Sequence, residues 1–307
     1  MNPNRKVLFT FVSFFLVIVT IACSCSSLSP SGSKTPSTSS GGSTPAANGQ
    51  AGPTATIASS VPAAPASSGP PYIEQASAQT TVPAGESAAA VAACPTGSLM
   101  LGGGFASAQG LQVIASMPDP TGWLVTGLND TAGALTLTAY ASCLHNADGT
   151  IQVVSAQVPV SGAPIARCPA GEIVTGGGYA DGTGSLEVYI STPLGDSNTP
   201  GNAWSVMAHP DQNADEPITV YAVCLSGSSL TSTLIRDDKV TYGSGADALN
   251  FTMTCPSGAV MASGGYEGTG AYISRVNSTD TTIWEVQVQG KIYFDGSLDH
   301  AVCLNLP

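Results

Sequence analysis

Cys94-Pro95-Thr96-Gly97, Gly102-Gly103-Gly104-Phe105, Trp123-Leu124-Val125 and Tyr140-Ala141-Ser142-Cys143-Leu144 form one pattern that the chain writes three times. The second copy reads Cys168-Pro169-Ala170-Gly171, Gly176-Gly177-Gly178-Tyr179, Trp204-Ser205-Val206 and Tyr221-Ala222-Val223-Cys224-Leu225. The third reads Cys255-Pro256-Ser257-Gly258, Ser263-Gly264-Gly265-Tyr266, Trp284-Glu285-Val286 and His300-Ala301-Val302-Cys303-Leu304. In every copy the glycine-rich triplet begins 8 residues after the first cysteine (94 to 102, 168 to 176, 255 to 263). The tryptophan precedes the closing cysteine by 20, 20 and 19 residues (123 to 143, 204 to 224, 284 to 303), and all three tryptophans of the chain occupy this slot. Length varies between glycines and tryptophan, where a surface loop absorbs it at little entropic cost. A period of this size marks a repeat architecture.

Within a copy the periodicity is that of strands. Leu135, Leu137, Ala139, Ala141 and Cys143 alternate with polar or small residues and share one face, as in a half-buried strand. Ile218 to Cys224 repeats the pattern. Gln112-Val113-Ile114, Leu186 to Ile190, Trp123 to Leu128 and Trp204 to Ala208 read as further strands, with Pro118 and Pro193 read as breaks. Ala88 to Ala93 is alanine-rich enough for a helix, but its counterparts Pro164 to Arg167 and Leu249 to Thr254 favour a strand. The expected class is all-β: a three-fold internal repeat of disulfide-stapled antiparallel sheets.

The chain has eight cysteines, and six of them are the repeat pairs. An even set in an exported chain reads as disulfides. Three-fold repetition favours Cys94–Cys143, Cys168–Cys224 and Cys255–Cys303, each closing a loop worth roughly 4 kcal/mol by chain entropy. There is no Cys-x-x-Cys, so a local zinc knuckle is disfavoured. The repeated Cys-Pro-x-Gly openings before glycines are similar to those of the β-prism of vitelline membrane outer layer protein. The longer word also resembles secreted bacterial repeat proteins with Cys-Pro-x-Gly, Gly-Gly, Trp and Cys in this order. The first resemblance implies a β-prism-like assembly; the architectural alternative is three tandem small β-sandwich modules.

At the front, Arg5 and Lys6 precede an apolar run from Val7 to Ile21, too short for a comfortable membrane span. The run ends in Thr20-Ile21-Ala22-Cys23, which resembles a bacterial lipoprotein signal, although Thr20 stands where an aliphatic residue is usual. The resemblance implies diacylglyceryl attachment at Cys23 and a membrane partner through that anchor; two or more acyl chains hold a protein stably on a bilayer. Cys25 is a poorer candidate, and the alternative is an ordinary secretory signal cut nearby. Ser26 to Pro70 is almost wholly Ser, Thr, Gly, Pro and Ala, with Lys34 its single charge, a composition expected to stay disordered. The expected organisation is therefore a signal peptide over 1–22, a lipid-anchored disordered linker over 23–71, and repeat modules over 72–150, 151–230 and 231–307.

The chain carries 8 basic and 20 acidic residues; without Arg5 and Lys6 the balance is 6 − 20 = −14. So few cations argue against a nucleic-acid partner. The tryptophans are candidates for stacking on sugars, but a fixed spacing to cysteine favours core. The glycine triplets lack a following helix to cradle an anion and favour close strand approach. Asp181 and Glu267, each beside a Gly-Thr-Gly turn, are the candidate ligand-binding residues at symmetry-related loop tips, with a plain hairpin turn as the competing explanation. Asn213-Ala214-Asp215-Glu216 is a second acidic loop without calcium-loop spacing. His145, His209 and His300 are the chain's histidines, and His300 stands in the slot of Tyr140 and Tyr221. No hydrolase, metalloprotease or phosphate-loop motif is present, and no metal or cofactor is called for. The expected function is non-catalytic: binding of carbohydrate, cell wall or a surface protein by an exported, membrane-anchored envelope protein, or a structural role there. The competing expectation is a polysaccharide hydrolase with acid and base among Asp181, Glu187, Glu267 and Glu285.

Overall fold

The computed structural model describes residues 55–61, 69–162, 164–196, 199–210, 216–236, 240–242, 248–290 and 300–307. Cys23, Cys25, the apolar run and the spacer outside 55–61 and 69–70 lie outside these residues, as do Asp211, Asn213 to Asp215 and Asp299. The residues from Gln50 to Pro307 belong to one compact unit.

The strands in chain order are β1 (Ala55–Val61), β2 (Tyr72–Val82), β3 (Ser87–Ala93), β4 (Leu99–Ser107), β5 (Leu111–Asp119), β6 (Gly122–Asn129) and β7 (Leu135–His145). They continue as β8 (Thr150–Pro159), β9 (Ile165–Arg167), β10 (Ile173–Asp181), β11 (Leu186–Asp196), β12 (Thr199–Pro210) and β13 (Pro217–Ser226). The last set is β14 (Thr231–Arg236), β15 (Val240–Tyr242), β16 (Ala248–Thr254), β17 (Ala259–Gly264), β18 (Tyr266–Glu267), β19 (Ala271–Val276), β20 (Ile283–Gln289) and β21 (His300–Asn305). The described part is all-β; its one helical element is a short 3₁₀ turn at Val160–Gly162. The alanine-rich stretch is strand β3, pairing Ala90 with Val125 and Ala92 with Trp123.

The described strands form four antiparallel sheets, three of which join strands of two repeats. The first runs β1-β8-β13-β10-β5-β6-β3, and the second β15-β16-β20-β19-β4-β7-β2. The third runs β14-β21-β17, and the chain continues across Gly265 into β18 of the fourth, β18-β11-β12-β9. At the residue after each glycine triplet the chain pairs with a strand of a different repeat. Tyr179 meets Ser116, Tyr266 meets Ser191, and Phe105 meets Ser274. The exchange is cyclic, so the third repeat closes back on the first. Tandem sandwich modules are thereby excluded.

The triplet explains how the strands approach so closely. Just before each triplet, β4, β10 and β17 are bulged, at Leu101, Thr175 and Ala262, all fully buried. The first triplet residues then meet at the pseudo-three-fold axis: a Cβ on Gly102 would lie 2.8 Å from Ser263 Cβ and 3.2 Å from Gly176 Cα. Here Thr175 Oγ1 donates to Leu101 O at 2.7 Å, and Ser263 Oγ donates to Thr175 O at 2.6 Å. The middle glycine seats the tryptophan of its own repeat; a Cβ would come within 2.3 Å of Trp123 at Gly103, 2.3 Å of Trp204 at Gly177 and 2.6 Å of Trp284 at Gly264. The last glycine lets the neighbouring repeat's strand pass, with the carbonyls of Ser274, Ser116 and Ser191 at 1.9, 1.9 and 2.3 Å from the Cβ positions of Gly104, Gly178 and Gly265. The tryptophans are buried. Two donate their indole N–H to a serine hydroxyl, Trp123 to Ser116 at 2.9 Å and Trp204 to Ser191 at 3.0 Å.

The three disulfides are Cys94–Cys143, Cys168–Cys224 and Cys255–Cys303, with Cα atoms 5.6, 5.6 and 5.7 Å apart. Each ties the residue after β3, β9 or β16 to a strand of another sheet that is paired on both sides, β7, β13 or β21. Together they link first to second, fourth to first, and second to third. The Cys-Pro-x-Gly word is the turn leading out of the bond. Gly97, Gly171 and Gly258 have φ of 89°, 87° and 87°, and the following amide donates to the proline carbonyl at 3.1, 3.2 and 3.0 Å. A type II turn needs positive φ at that position.

Two expectations change. Pro118 and Pro193 do not break their strands; they pair with Trp123 and Trp204 inside β5 and β11. At those ends the opposite neighbour pairs only with residues 115–116 and 190–191, so no ladder bond needs the missing N–H. The linker expected to be wholly disordered contains β1, which pairs with the outer edge of β8. Its composition cannot build a core, but adding to an existing edge requires only backbone hydrogen bonds.

Candidate functional site

Strands β5, β11 and β19 each begin with a bulge, falling between Val113 and Ala115, Val188 and Ile190, and Ala271 and Ile273. Val113, Val188 and Ala271 are thus equivalent positions, as are Gln112, Glu187 and Gly270. All six line one cleft of about 330 Å³, with Tyr272 and Gln289 at its side and Tyr179 and Tyr266 also in its lining. The cleft lies on the pseudo-symmetry of the fold because each repeat contributes its corresponding strand. Phe105, Tyr179 and Tyr266, the aromatic residues directly after the triplets, reappear together around a second, nearly filled space of about 10 Å³. Tyr179 and Tyr266 belong to both linings and stand between the open cleft and the interior.

These two phenols are chained. Tyr266 Oη donates to Tyr179 Oη at 3.0 Å, and Tyr179 Oη donates to Val113 O at 3.1 Å. Phe105 meets Tyr266 edge to face at 6.0 Å between centroids. Burial pushes both hydroxyls above the usual phenol range, and negative charge adds to it, Asp181 acting on Tyr179 and Glu187 on Tyr266. They are neutral near pH 7. Since both protons are already donated, what they retain is acceptor capacity on oxygen. Gln112 also donates inward, from Nε2 to Leu186 O at 3.0 Å. With the exposed Glu187 carboxylate the lining is rich in acceptors, beside apolar walls and an aromatic ring.

The two carboxylates singled out in the sequence are elsewhere. Asp181 is 3% exposed and closes the β10–β11 turn. Its Oδ1 accepts from Thr183 N at 3.0 Å and Thr183 Oγ1 at 2.9 Å, and its Oδ2 from Leu186 N at 2.8 Å. Glu216, from the second acidic loop, joins the same turn by accepting from Thr183 at 3.0 Å and from Ser185. Glu267 is 1% exposed, on β18 opposite Ile190. The register makes Glu267 the counterpart of Ala106 and Ala180, whereas Asp181 is the counterpart of Ser107 and Gly268. They are neither equivalent nor at exposed tips. Resemblance of the two Gly-Thr-Gly words had masked a one-residue offset.

Of the four carboxylates considered for acid–base work, Glu187 alone lines the cleft. Glu285 lies on β20, where Arg275 approaches it at 3.5 Å and Asn277 donates to it. Arg275 in turn donates to Tyr140 Oη at 2.6 Å and lies over its ring. The histidines are packed rather than gathered: His145 stacks on Tyr72 and pairs with Glu74 at 3.0 Å, His209 stacks on Tyr189, and His300 is buried in β21. Among the described residues no three His, Cys, Asp or Glu side chains converge as metal ligands. Tyr179 and Tyr266 close the glycine words of their repeats, and the signal that finds them is the aromatic residue directly after each triplet. Compared with known proteins, the chain matches no family model and none of the curated proteins.

Proposed function

We propose that this chain is an exported lipoprotein of the cell envelope, held by a lipid on Cys23, with a non-catalytic head that binds carbohydrate in the axial cleft. The cleft's lining carries the reading. Its acceptors, the Glu187 carboxylate and the phenolic oxygens, suit the hydroxyl donors of a sugar, while Tyr272 and the walls Val113 and Val188 suit a ring face. Hydrolysis of a glycosidic bond uses two carboxylates flanking that bond, and among the described residues of the lining Glu187 is the one carboxylate. The three within-repeat disulfides suit an oxidising compartment, and the apolar run ending at Cys23 suits lipid attachment.

A glycan and cell-wall binding screen of residues 72–307, with and without calcium, tests the head. The expected result is specific retention on a sugar or wall fraction, weakened about tenfold or more by Glu187→Gln with unchanged melting. Turnover of a wall polysaccharide that Glu187→Gln abolishes would instead make the cleft catalytic. No retention on any fraction would assign the head a structural or protein-binding role. The anchor has a separate test: Cys23→Ala is expected to move the protein from membranes to the medium, and unchanged membrane retention would defeat it.

A further inference from the structure

The first sheet carries a strand that the repeat does not require. On the corresponding side of two other sheets, β2 and β14 are outermost, and among the described residues nothing adds to them. In the first sheet β8 holds that position, and β1 pairs beyond it, with Ala55 opposite Ala156, Thr56 opposite Ser155, Ile57 opposite Val154, Ala58 opposite Val153 and Val61 opposite Ile151. β1 has no counterpart in the other repeats and comes from the Ser-, Thr-, Pro- and Ala-rich segment that precedes them. An exposed sheet edge is a template for another strand, and backbone bonding there is nearly independent of sequence.

We propose that the outer edge of β8 is a strand-addition site whose occupant is the chain's own residues 55–61, docked reversibly. The pairing is built for release. It is confined to one side, its register shifts between Ala58 and Val61, and the sheet from β8 to β3 is complete without it. Cis occupancy is favoured by connectivity, since Val61 lies opposite Ile151 at the start of β8 while Tyr72 lies opposite His145 at the end of β7. Residues 62–71 bridge the two seams, so the strand is held at high local concentration beside its edge. The consequence, which rests on the anchor reading above, is a spacer with two lengths. With β1 docked, 31 residues (24–54) lie between the anchor and the docked strand; released, 48 residues (24–71) lie between the anchor and β2. Docking would therefore set how far the head stands from the membrane.

Backbone hydrogen exchange on the full-length Cys23→Ala chain tests the site without using either the anchor or a glycan. The expected result is slow exchange within 55–58 and at the amides of 151–156 that face away from β13, at least about tenfold slower than for an unstructured chain. Neighbouring residues in a strand direct their N–H groups to opposite sides. Ile57→Pro and Ala58→Pro are therefore made separately, so that one of them removes a ladder donor. Loss of protection at both partners, with exchange in β13 and the melting temperature unchanged, is the signature of a dispensable docked strand. Exchange of 55–61 at the unstructured rate would overturn the site. Protection that appears only as protein concentration rises would overturn cis occupancy and give the edge to a second copy's strand.

Discussion

Gly177 shows what the middle residue of each triplet does. A methyl group there would enter the Trp204 ring at 2.3 Å, and neither the ring, buried against its sheet, nor the strand has room to retreat. Gly177→Ala is expected to destabilise the head by about 3 kcal/mol, at the upper end of core overpacking. Gly182→Ala, with nothing within 4 Å of the added atom, should change stability by less than about 0.5 kcal/mol. Equal effects in denaturant melts would refute the seat for the tryptophan. The buried phenols make a prediction in pH. Their folded values lie above those of an unfolded chain, so unfolded Tyr179 and Tyr266 release protons first. Their contribution is whole below about pH 10 and is lost as pH rises through the folded values. Tyr266→Phe, which supplies the residue the first repeat has at Phe105, should lessen that alkaline loss, read as denaturant midpoint against pH. A residue pattern of this kind was legible as a requirement for closeness; which neighbour each glycine admits was not, because the word is the same whether the passing strand belongs to its own copy or another.

Strands were the most legible elements. Along β7 the predicted inward set Leu137, Ala139, Ala141 and Cys143 is buried, and Leu135, at the strand's start, is half-buried. Period-two alternation reports burial directly, and burial is what a sheet face imposes. The prolines misled because their usual prohibition concerns ladder donors, and at Pro118 and Pro193 pairing with the neighbouring strand had already stopped. β1 escaped notice for a related reason: composition measures the capacity to build a core, not to sit on an edge. The acidic turns failed on register. Asp181 and Glu267 look alike as words, yet one residue of offset places them at different points of the ladder, one accepting three hydrogen bonds within its turn. Glu187 was named among possible acids, but nothing local distinguishes it. Its place in the cleft comes from strands that Gln112 and Gly270 also begin, in other repeats.

At the scale of the whole molecule, the three repeats are one folding body. Three of the four sheets contain strands from two repeats, and the disulfides tie all four sheets together. Calorimetry of residues 72–307 is expected to show one cooperative transition with equal calorimetric and van't Hoff enthalpies. Three separable transitions would mean that the repeats hold themselves together individually.

The pairing of Phe105 with Ser274 has a consequence for how the protein is made. A ribosome delivers β4 long before β19, so the first repeat emerges with one side of its triplet strand bare. The opposite holds for β10 and β18, whose partners β5 and β11 come from the preceding repeat and are waiting with open edges. Contacts so distant in sequence form slowly, and through that interval Cys94 and Cys143 are already able to bond while the later pairs are still being synthesised. Each closing cysteine precedes the opening cysteine of the next repeat, 143 before 168 and 224 before 255, so delivery in chain order to an oxidising compartment would complete each pair before the next begins.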